Sequence, residues 1–228
     1  MTLSARITGL YVGKSEHLWQ DKAPSAIRKT YREGPLELNE LGFLEDEQAD
    51  LKVHGGPEKA VHHYASEHYA TWASEYPEQA HLFKPGAVGE NIATEGLTEH
   101  NLCLGDVFTL GTAKVQICQG RQPCWKLVSH TGLSSLAMRF QKTGFTGWYY
   151  RVLEDGRVSV GDTMTLLERP HEDLVLADVI AARFNPRLDP ALAQKLADIP
   201  ELSGNWRKAF LKKTQAGYTE NTDKRLKG

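Results

Sequence analysis

The amino-acid sequence predicts a mainly β protein, a barrel or sandwich followed by a small unit of helices. Short runs that are apolar or alternate in polarity recur through the first three-quarters of the 228 residues, with turn signals between them. After Pro170 the pattern changes to apolar residues at helical spacing. Many short strands at such spacings are typical of a barrel or a sandwich and argue against alternating β-α units.

Six segments are predicted to be strands because they alternate in polarity or are apolar throughout: ARITGLYV, KAVHHY, DVFTL, AKVQIC, WYYRVL and DTMTLL. The residues from Leu110 to Ala113 predict a tight hairpin connection, and Asp155-Gly156 is a strong signal for a type I′ turn. One helix is predicted between the strands. It begins at Ser66, a suitable N-cap, and ends before a proline.

The C-terminal part predicts three short helices, LVLADVIAARF, PALAQKLADI and NWRKAFLKK. Asp189-Pro190 and Ser203 supply start signals for the second and the third. The polar, charged end of the chain predicts a loose tail. The predicted division is a barrel over 1–168, a three-helix unit over 169–213 and a flexible tail over 214–228.

Composition and charge narrow the classes of function. The chain is 40% hydrophobic and 25% charged, and its net charge of −2 gives no general reason to expect binding to nucleic acid or to a membrane surface. No apolar run approaches the roughly 20 residues of a membrane span, and the N-terminus lacks a secretory signal. Three cysteines without a repeating pattern do not predict a disulfide framework. We therefore expect a cytoplasmic protein.

The stretch GRQPCWKL places Cys124 between two cations, Arg121 and Lys126. Such neighbours stabilise a thiolate, the form that attacks electrophiles and binds metals. Cys103 lies between leucines and is expected to be buried and inert, whereas Cys118 lies on an alternating strand. A zinc site is disfavoured because no second pair of ligands lies nearby. Cys124 is thus a nucleophile, a metal ligand or a cysteine in a polar loop.

The stretch HGGPEKAVHHY joins a glycine turn to a strand. Gly55 and Gly56 permit positive φ and let backbone N–H groups approach a ligand. His54 lies at the turn itself, where a site would open. For His62 and His63 we expect one buried, hydrogen-bonded ring and one exposed ring.

Three weaker features favour an anionic ligand. Glycines bracket Asn91 in GAVGENIATEGL, Ser66 begins a helix, and Lys29-Thr30 offers a cation and a hydroxyl. None of these features is specific alone. Together with Cys124 they predict a pocket for a polar, phosphate-bearing ligand beside a reactive thiolate.

The order of five motifs resembles that of the MOSC family, β-barrel domains related to the C-terminal part of molybdenum-cofactor sulfurases. The motifs are SAIRK, LGFLEDEQADLKVHGGPEKAVHHY, GAVGENIATEGLTEHNLCLGD, QGRQPCWKL and RVLEDGRVSVGD. The C-terminal helices are similar to the three-helix unit of the YiiM-type subgroup, and the resemblance covers about residues 3 to 213.

The resemblance implies an enzyme that binds a molybdenum-pterin cofactor and uses it to reduce N-hydroxylated compounds such as N-hydroxylated bases. Cys124 matches the cysteine that binds the metal, and His54 is the candidate proton donor because histidine titrates near neutral pH. A separate reductase is implied, since no flavin, iron–sulfur or nicotinamide motif is visible. The residues expected to contact the cofactor are Lys29, Thr30, Gly55, Gly56, Lys59, Ser66, Asn91, Arg121 and Lys126.

Two alternatives stay open: sulfur transfer through a persulfide on Cys124, and a barrel that carries the cofactor without doing chemistry. Glu45 stands where the family commonly has glycine, which predicts a strain of about 1 kcal/mol if that position takes positive φ. The helical unit is expected to lie outside the pocket. Its basic residues are a candidate docking surface for an acidic redox partner, namely Arg207, Lys208, Lys212 and Lys213.

Overall fold

The computed structural model describes residues 2–49 and 55–227. Within these ranges the strands are β1 (Ser4–Val12), β2 (Thr30–Arg32), β3 (Leu36–Asn39), β4 (Gly42–Phe43), β5 (Val61–Ala65), β6 (Ile92–Thr94), β7 (Val107–Leu110), β8 (Ala113–Gly120), β9 (Trp148–Glu154), β10 (Gly156–Val158) and β11 (Thr163–Glu168). The helices are α1 (Glu67–Glu75), α2 (Trp125–Thr131), α3 (Leu136–Thr143), α4 (Leu176–Phe184), α5 (Pro190–Ala197), α6 (Gly204–Lys213) and α7 (Asp223–Lys227). Short 3-10 segments cover Pro57–Lys59 and Pro77–Leu82.

Seven strands form a mixed barrel in the order β11-β7-β8-β9-β5-β6-β1, and pairing of β1 with β11 closes it. Only the β5–β6 pair is parallel among these neighbours. β2 extends the sheet from β1, and β3, β4 and β10 form a separate small sheet. The predicted fold class, a β-barrel with peripheral helices and a C-terminal helical unit, is confirmed.

The barrel interior is built from the alternating residues that predicted the strands. In β1 exposed and buried positions alternate from Ser4 to Gly9, and Ile7 and Leu10 are completely buried. His63 is also completely buried, with its ring nitrogens at 3.1 Å from the Tyr150 hydroxyl and 2.9 Å from the Thr94 hydroxyl. The expectation that one of the paired histidines is exposed is wrong, because the neighbouring His62 is also buried.

Two helices, α2 and α3, follow Cys124 where the sequence predicted only one helix among the strands. Both are short, and neither has a side-chain cap at its start. Their ends did carry a signal: Gly132 and Gly144 lie in the left-handed region with φ of 74° and 77°, as glycines that end helices do.

Asp155-Gly156 does not form the predicted hairpin turn. β10 leaves β9 and pairs with β3 instead, and Gly156 does not have the positive φ that a type I′ turn needs. A Cβ at Gly156 would lie 2.4 Å from the Ala113 nitrogen. Gly156 therefore lets its segment pass close to the backbone at Ala113, where a larger residue would clash. Leu110 and Ala113, in contrast, are cross-strand partners at the predicted β7–β8 hairpin.

The helical unit packs directly on the barrel. The predicted caps are present, since Asp189 accepts from the Leu192 N–H and Ser203 from the Trp206 N–H. Ile180 and Trp206 cover Gly120 at the end of β8 so closely that a Cβ there would lie 2.5 Å from Ile180. Both side chains belong to the same apolar core as the barrel interior. The boundary at residue 168 stays a prediction.

The chain after Thr214, expected to be loose, forms α7 and an ion pair between Glu220 and Arg183 on α4. Among the basic residues of α6, Arg207 donates to backbone carbonyls at the end of α5, and Lys213 donates to the Asn185 carbonyl. These two side chains therefore have structural partners within the unit. None of the described helices has the length and apolar character needed to cross a membrane.

Candidate active site

A cavity collects polar residues from six separate parts of the chain. Its described lining comes from residues 25–29, 46–49, 59–62, 88–91, 121–126 and from Tyr149. Six predicted site residues contribute to it: Lys29, Lys59, Asn91, Arg121, Cys124 and Lys126. Segments far apart in sequence thus meet where the ligand site was expected.

Four predicted residues are not part of this described lining. Thr30 is exposed on β2, and Gly55 and Gly56 precede the short 3-10 turn that carries Lys59. Ser66 begins α1, and its N–H donates to the Thr94 carbonyl. His54 lies outside the described residues.

Cys124 is half-buried in the loop between β8 and α2, and α2 begins directly after it. Its carbonyl accepts the Leu127 N–H at 3.0 Å. Lys126, expected as a cation beside the thiol, lines the same cavity as Cys124 and donates to the Pro24 carbonyl at 2.9 Å. This bond joins α2 to the segment that precedes residues 25–29, which also line the cavity.

Arg121 presents a buried cation to the cavity. The residue is 7% exposed, and its backbone N–H donates to the Gly147 carbonyl. Its Nη1 is buried and has no hydrogen-bond partner in the described part of the chain. A buried polar atom without a partner is costly, so this group fits an anionic ligand in the cavity.

His62 lies beside this guanidinium and is 3% exposed. Its ring lies against the backbone of Gly89 and Thr146, and its buried Nε2 makes no hydrogen bond of good geometry with the residues described. Burial, followed by the positive charge of Arg121, holds its pKa well below the usual range, so the ring is neutral at pH 7. The ring of Tyr149 lies 4.9 Å away, and burial raises the pKa of that phenol, which therefore keeps its proton.

A second wall of the cavity is organised by Asp46, whose side chain is 6% exposed. Its carboxylate accepts Lys29 Nζ at 2.6 and 2.8 Å, the Gly13 N–H at 2.6 Å and Asn91 Nδ2 at 2.9 Å. Charged and polar donors thus converge on one buried carboxylate. In contrast to Arg121, this group has all its partners within the chain.

Asn91 uses its amide to join three chain segments. Nδ2 donates to Asp46 and to the Tyr11 carbonyl, while Oδ1 accepts the His62 N–H. An asparagine amide has two N–H protons, and both are therefore occupied. In this arrangement Asn91 positions its neighbours and has no N–H left for a ligand.

The other two thiols differ from Cys124. Cys118 is completely buried, its thiol donates to the Glu58 carbonyl at 3.1 Å, and burial raises its pKa to about 12. Cys103 is 3% exposed, and burial likewise raises its pKa. Both side chains are protonated, buried groups at neutral pH, as expected for inert cysteines.

Sequence reasoning missed Asp46, His62 and Tyr149 as members of the site. No local signal in the sequence separates Asp46 from an exposed acid. The expected strain at Glu45 is absent: in the ranges described, Asp21 is the only non-glycine residue with positive φ. Glu45 is instead on the surface, 3.4 Å from Arg32.

The described residues contain no group of three or more His, Cys, Asp or Glu side chains that could hold a metal ion. A metal at Cys124 would therefore need most of its ligands from another molecule. An anionic pterin with sulfur ligands meets this need chemically, because a thiolate completes a soft ligand set. Arg121 Nη1, which has no hydrogen-bond partner among the described residues, fits the anionic part of such a group.

Comparison with known proteins finds two family models that match along the chain. The MOSC domain model matches residues 50–165, and the model of the YiiM-like, 3-alpha helix domain matches residues 176–216. Protein YiiM of Escherichia coli (strain K12) is 41% identical over 219 residues, which is 96% of this chain and 97% of that protein. A protein named reductase from Gibberella moniliformis is 40% identical over 148 residues, covering 64% of this chain and 26% of that longer protein.

Solved structures agree with the sequence matches. The crystal structure of YiiM from Escherichia coli has a TM-score of 0.84 at 34% identity, with 99% of each chain covered. That of YiiM from Geobacillus stearothermophilus has a TM-score of 0.79 at 33% identity, covering 92% of this chain and 100% of the other. The chain therefore belongs to the MOSC domain family, in the group that carries a YiiM-like three-helix domain at its C-terminus.

Proposed function

We propose that the protein is a molybdenum-cofactor-dependent reductase of N-hydroxylated compounds such as N-hydroxylated bases. The family is associated with the molybdenum cofactor, and one relative is named a reductase. The observation that carries the proposal is the cavity lined by a half-buried thiol, Cys124, and by the buried guanidinium of Arg121, whose Nη1 has no hydrogen-bond partner among the described residues. This pairing suits an anionic metal complex with a thiolate ligand.

Each side chain of the cavity has a distinct task in this proposal. Cys124 supplies the thiolate, Arg121 binds an anionic group of the cofactor, and Lys59 adds a second cation to the lining. Lys29 and Asn91 act through Asp46 by holding the second wall in place. When bound, the cofactor supplies a metal that changes oxidation state and passes electrons to the substrate.

The reduction consumes two electrons and two protons, breaks the N–O bond and releases water, which turns R–NHOH into R–NH2. We expect a separate reductase to supply the electrons, since the sequence carries no motif for a second redox cofactor. His62 is neutral at pH 7 and so does not donate a proton as an imidazolium. His54 stays the predicted proton donor, and Tyr149 offers a protonated phenol in the cavity lining.

The test combines metal analysis with an assay on an N-hydroxylated base, using protein produced in cells that make the pterin. Native protein should contain molybdenum and reduce the base with a chemical or enzymatic electron donor. Cys124→Ala should abolish reduction, and Cys124→Ser should fail as well because an alkoxide is a hard ligand of much higher pKa. Cys103→Ala is the matched control and should retain most of the activity.

Two outcomes would contradict the proposal. Reduction at the native rate by Cys124→Ala with molybdenum bound would remove the thiolate from the chemistry. Bound molybdenum without any reduction would favour a carrier of the cofactor. Sulfur transfer through a relay of two cysteines has little support, because Cys118 is buried and its thiol donates to the Glu58 carbonyl.

A further inference from the structure

The C-terminal segment returns to the loop that carries Cys124. Arg225 on α7 donates from Nη1 to the Pro123 carbonyl at 2.5 Å and from Nη2 to Gln141 Oε1 at 2.7 Å. Pro123 directly precedes Cys124 and is buried. One guanidinium therefore joins the residue before the thiol to α3.

This segment is anchored on both sides of Arg225. Leu226 is 8% exposed and packs into the protein. Upstream, Glu220 accepts both terminal nitrogens of Arg183, at 2.5 and 3.0 Å, and the Arg183 side chain is 4% exposed. Arg225 also lies over the ring of Phe184, 5.8 Å from its centroid. The contacts of Arg225 are thus part of a packed interface.

The loop from Arg121 to Cys124 is short, and its backbone is held at its two ends. At the first end the Arg121 N–H donates to the Gly147 carbonyl. At the second end the Pro123 carbonyl accepts from Arg225. A hydrogen bond from a charged donor is stronger than one from a neutral donor, so the second contact restricts the loop where it meets the thiol.

We propose that Arg225 is a positioning residue that fixes the Pro123 carbonyl and thereby sets the place of Cys124 relative to Arg121. The role of the C-terminal segment is then to complete the active-site loop, although it does not line the cavity itself. The positioning follows from the contacts alone. Its consequence for catalysis rests on the proposed function.

The test is hydrogen–deuterium exchange on the full-length protein as purified. In Arg225→Ala, peptides that cover residues 120–131 should exchange roughly tenfold faster, because the charged hydrogen bond that restrains the loop is lost. Peptides from β1 should be unchanged. Arg225→Lys keeps one cationic donor for the Pro123 carbonyl without the fork that also reaches Gln141, so its exchange should be intermediate.

Arg187→Ala provides the matched control, since Arg187 is an exposed arginine of the same helical unit. It should leave exchange in residues 120–131 at the native rate. If Arg225→Ala changes exchange only in the C-terminal helices and leaves residues 120–131 at the native rate, the positioning role is wrong.

The kinetic readout separates this inference from the proposed function. If the protein reduces N-hydroxylated bases, Arg225→Ala should lower kcat about tenfold with little change in KM, since Arg225 does not line the cavity. Faster exchange in a protein that shows no reductase activity, even in its native form, would support the positioning and refute the proposed function. If exchange in Arg225→Ala is unchanged and the native protein does reduce N-hydroxylated bases, the positioning role is refuted and the proposed function is supported.

Discussion

The two walls of the cavity differ in how their buried charges are satisfied. On one wall Asp46 accepts from Lys29, Asn91 and Gly13, so a buried charge is fully paired within the chain. On the other wall Arg121 and His62 each keep a buried nitrogen without a described partner. The carboxylate of Asp46 is thus satisfied within the chain, whereas under the proposed function an anionic ligand would supply the partner that Arg121 Nη1 lacks among the described residues.

This difference separates residues expected to support the fold from residues expected to contact a ligand. A buried polar group without a partner carries an energetic penalty, and a ligand that hydrogen-bonds to the group removes that penalty. Changes on the paired wall should therefore affect stability first. Changes on the unpartnered wall should affect binding first.

The largest effect on stability is expected from Asp46→Asn. The substitution keeps the shape of the side chain but leaves the buried ammonium of Lys29 without its counter-charge, which costs about 3–5 kcal/mol. Urea unfolding measures the loss. Glu47→Gln is the matched control, because the Lys14–Glu47 pair is exposed, and it should change stability little. Equal effects of the two changes would show that the Asp46 pair is not a support of this wall.

The dependence of stability on pH tests whether the rings of His62 and His63 are buried and neutral. Burial lowers the pKa of His63 to about 3 and that of His62 well below 6.5. Below about pH 6.5 the unfolded chain binds protons that the folded protein does not, so stability falls as the pH falls, by up to about 1.4 kcal/mol per pH unit for each histidine.

Urea titrations between pH 7 and pH 5 measure this slope. His63→Gln should make it shallower than in the native protein, because one of the two histidines that gain a proton on unfolding is gone. His62→Gln should do the same while also weakening ligand binding. A slope unaffected by either change would contradict the assignment of both rings as neutral and buried.

Arg121→Met should affect stability little and cofactor binding strongly, in contrast to Asp46→Asn. Removing a buried cation that has an unpartnered N–H should leave the free energy of unfolding within about 1 kcal/mol of the native value. Molybdenum and phosphorus per chain, measured on protein from cells that make the pterin, should fall severalfold because the cofactor loses its anion contact. A large loss of stability with normal cofactor content would place Arg121 with the supporting wall.

The smallest effect is expected from Glu45→Gly. Since Glu45 does not have positive φ, glycine relieves no strain and adds conformational entropy to the unfolded chain. The variant should be less stable by about 0.4–1 kcal/mol in thermal or urea unfolding. A gain in stability would mean that this turn is strained after all.

The barrel was predictable because its strands are amphipathic. In β1 and β8 the alternation of polarity directly reflects an inside and an outside. The helices α2 and α3 were missed because their seven and eight residues make a weak periodic signal, and their stability comes from packing. Leu127, Leu136 and Phe140 are completely buried in an apolar cluster with Trp72.

The site was predictable where residue type and local context were unusual, as for Cys124 and Arg121 in a polar loop. It was not predictable where strand register decides which side chain faces the cavity. His62 is the cross-strand partner of Tyr149, and His63 is that of Trp148. A shift of one residue would exchange the two histidines between core and cavity, and local sequence does not specify that register.

Contacts over long sequence separations were also invisible. Asp46 meets Asn91 across 45 positions, and Arg225 meets Pro123 across 102 positions. Asp46, Asn91 and Arg225 are ordinary polar residues in their own segments, and Pro123 contributes only its backbone carbonyl. Only the closed fold buries the charge of Asp46 and brings Arg225 to the loop that carries Cys124.

The pairing of β1 with β11 has a consequence for how the protein forms. Ser4 and Thr165 are partners, so the first strand of the barrel must wait for the last before the ring is complete. Contacts between segments so distant in sequence slow folding, because the entropy of closing a long loop is lost before the pairing is gained. During synthesis, β1 leaves the ribosome long before its partner and keeps an unpaired edge that can pair with other chains. We therefore expect the barrel to close late, and the incomplete chain to be the stage at which the protein is most exposed to aggregation.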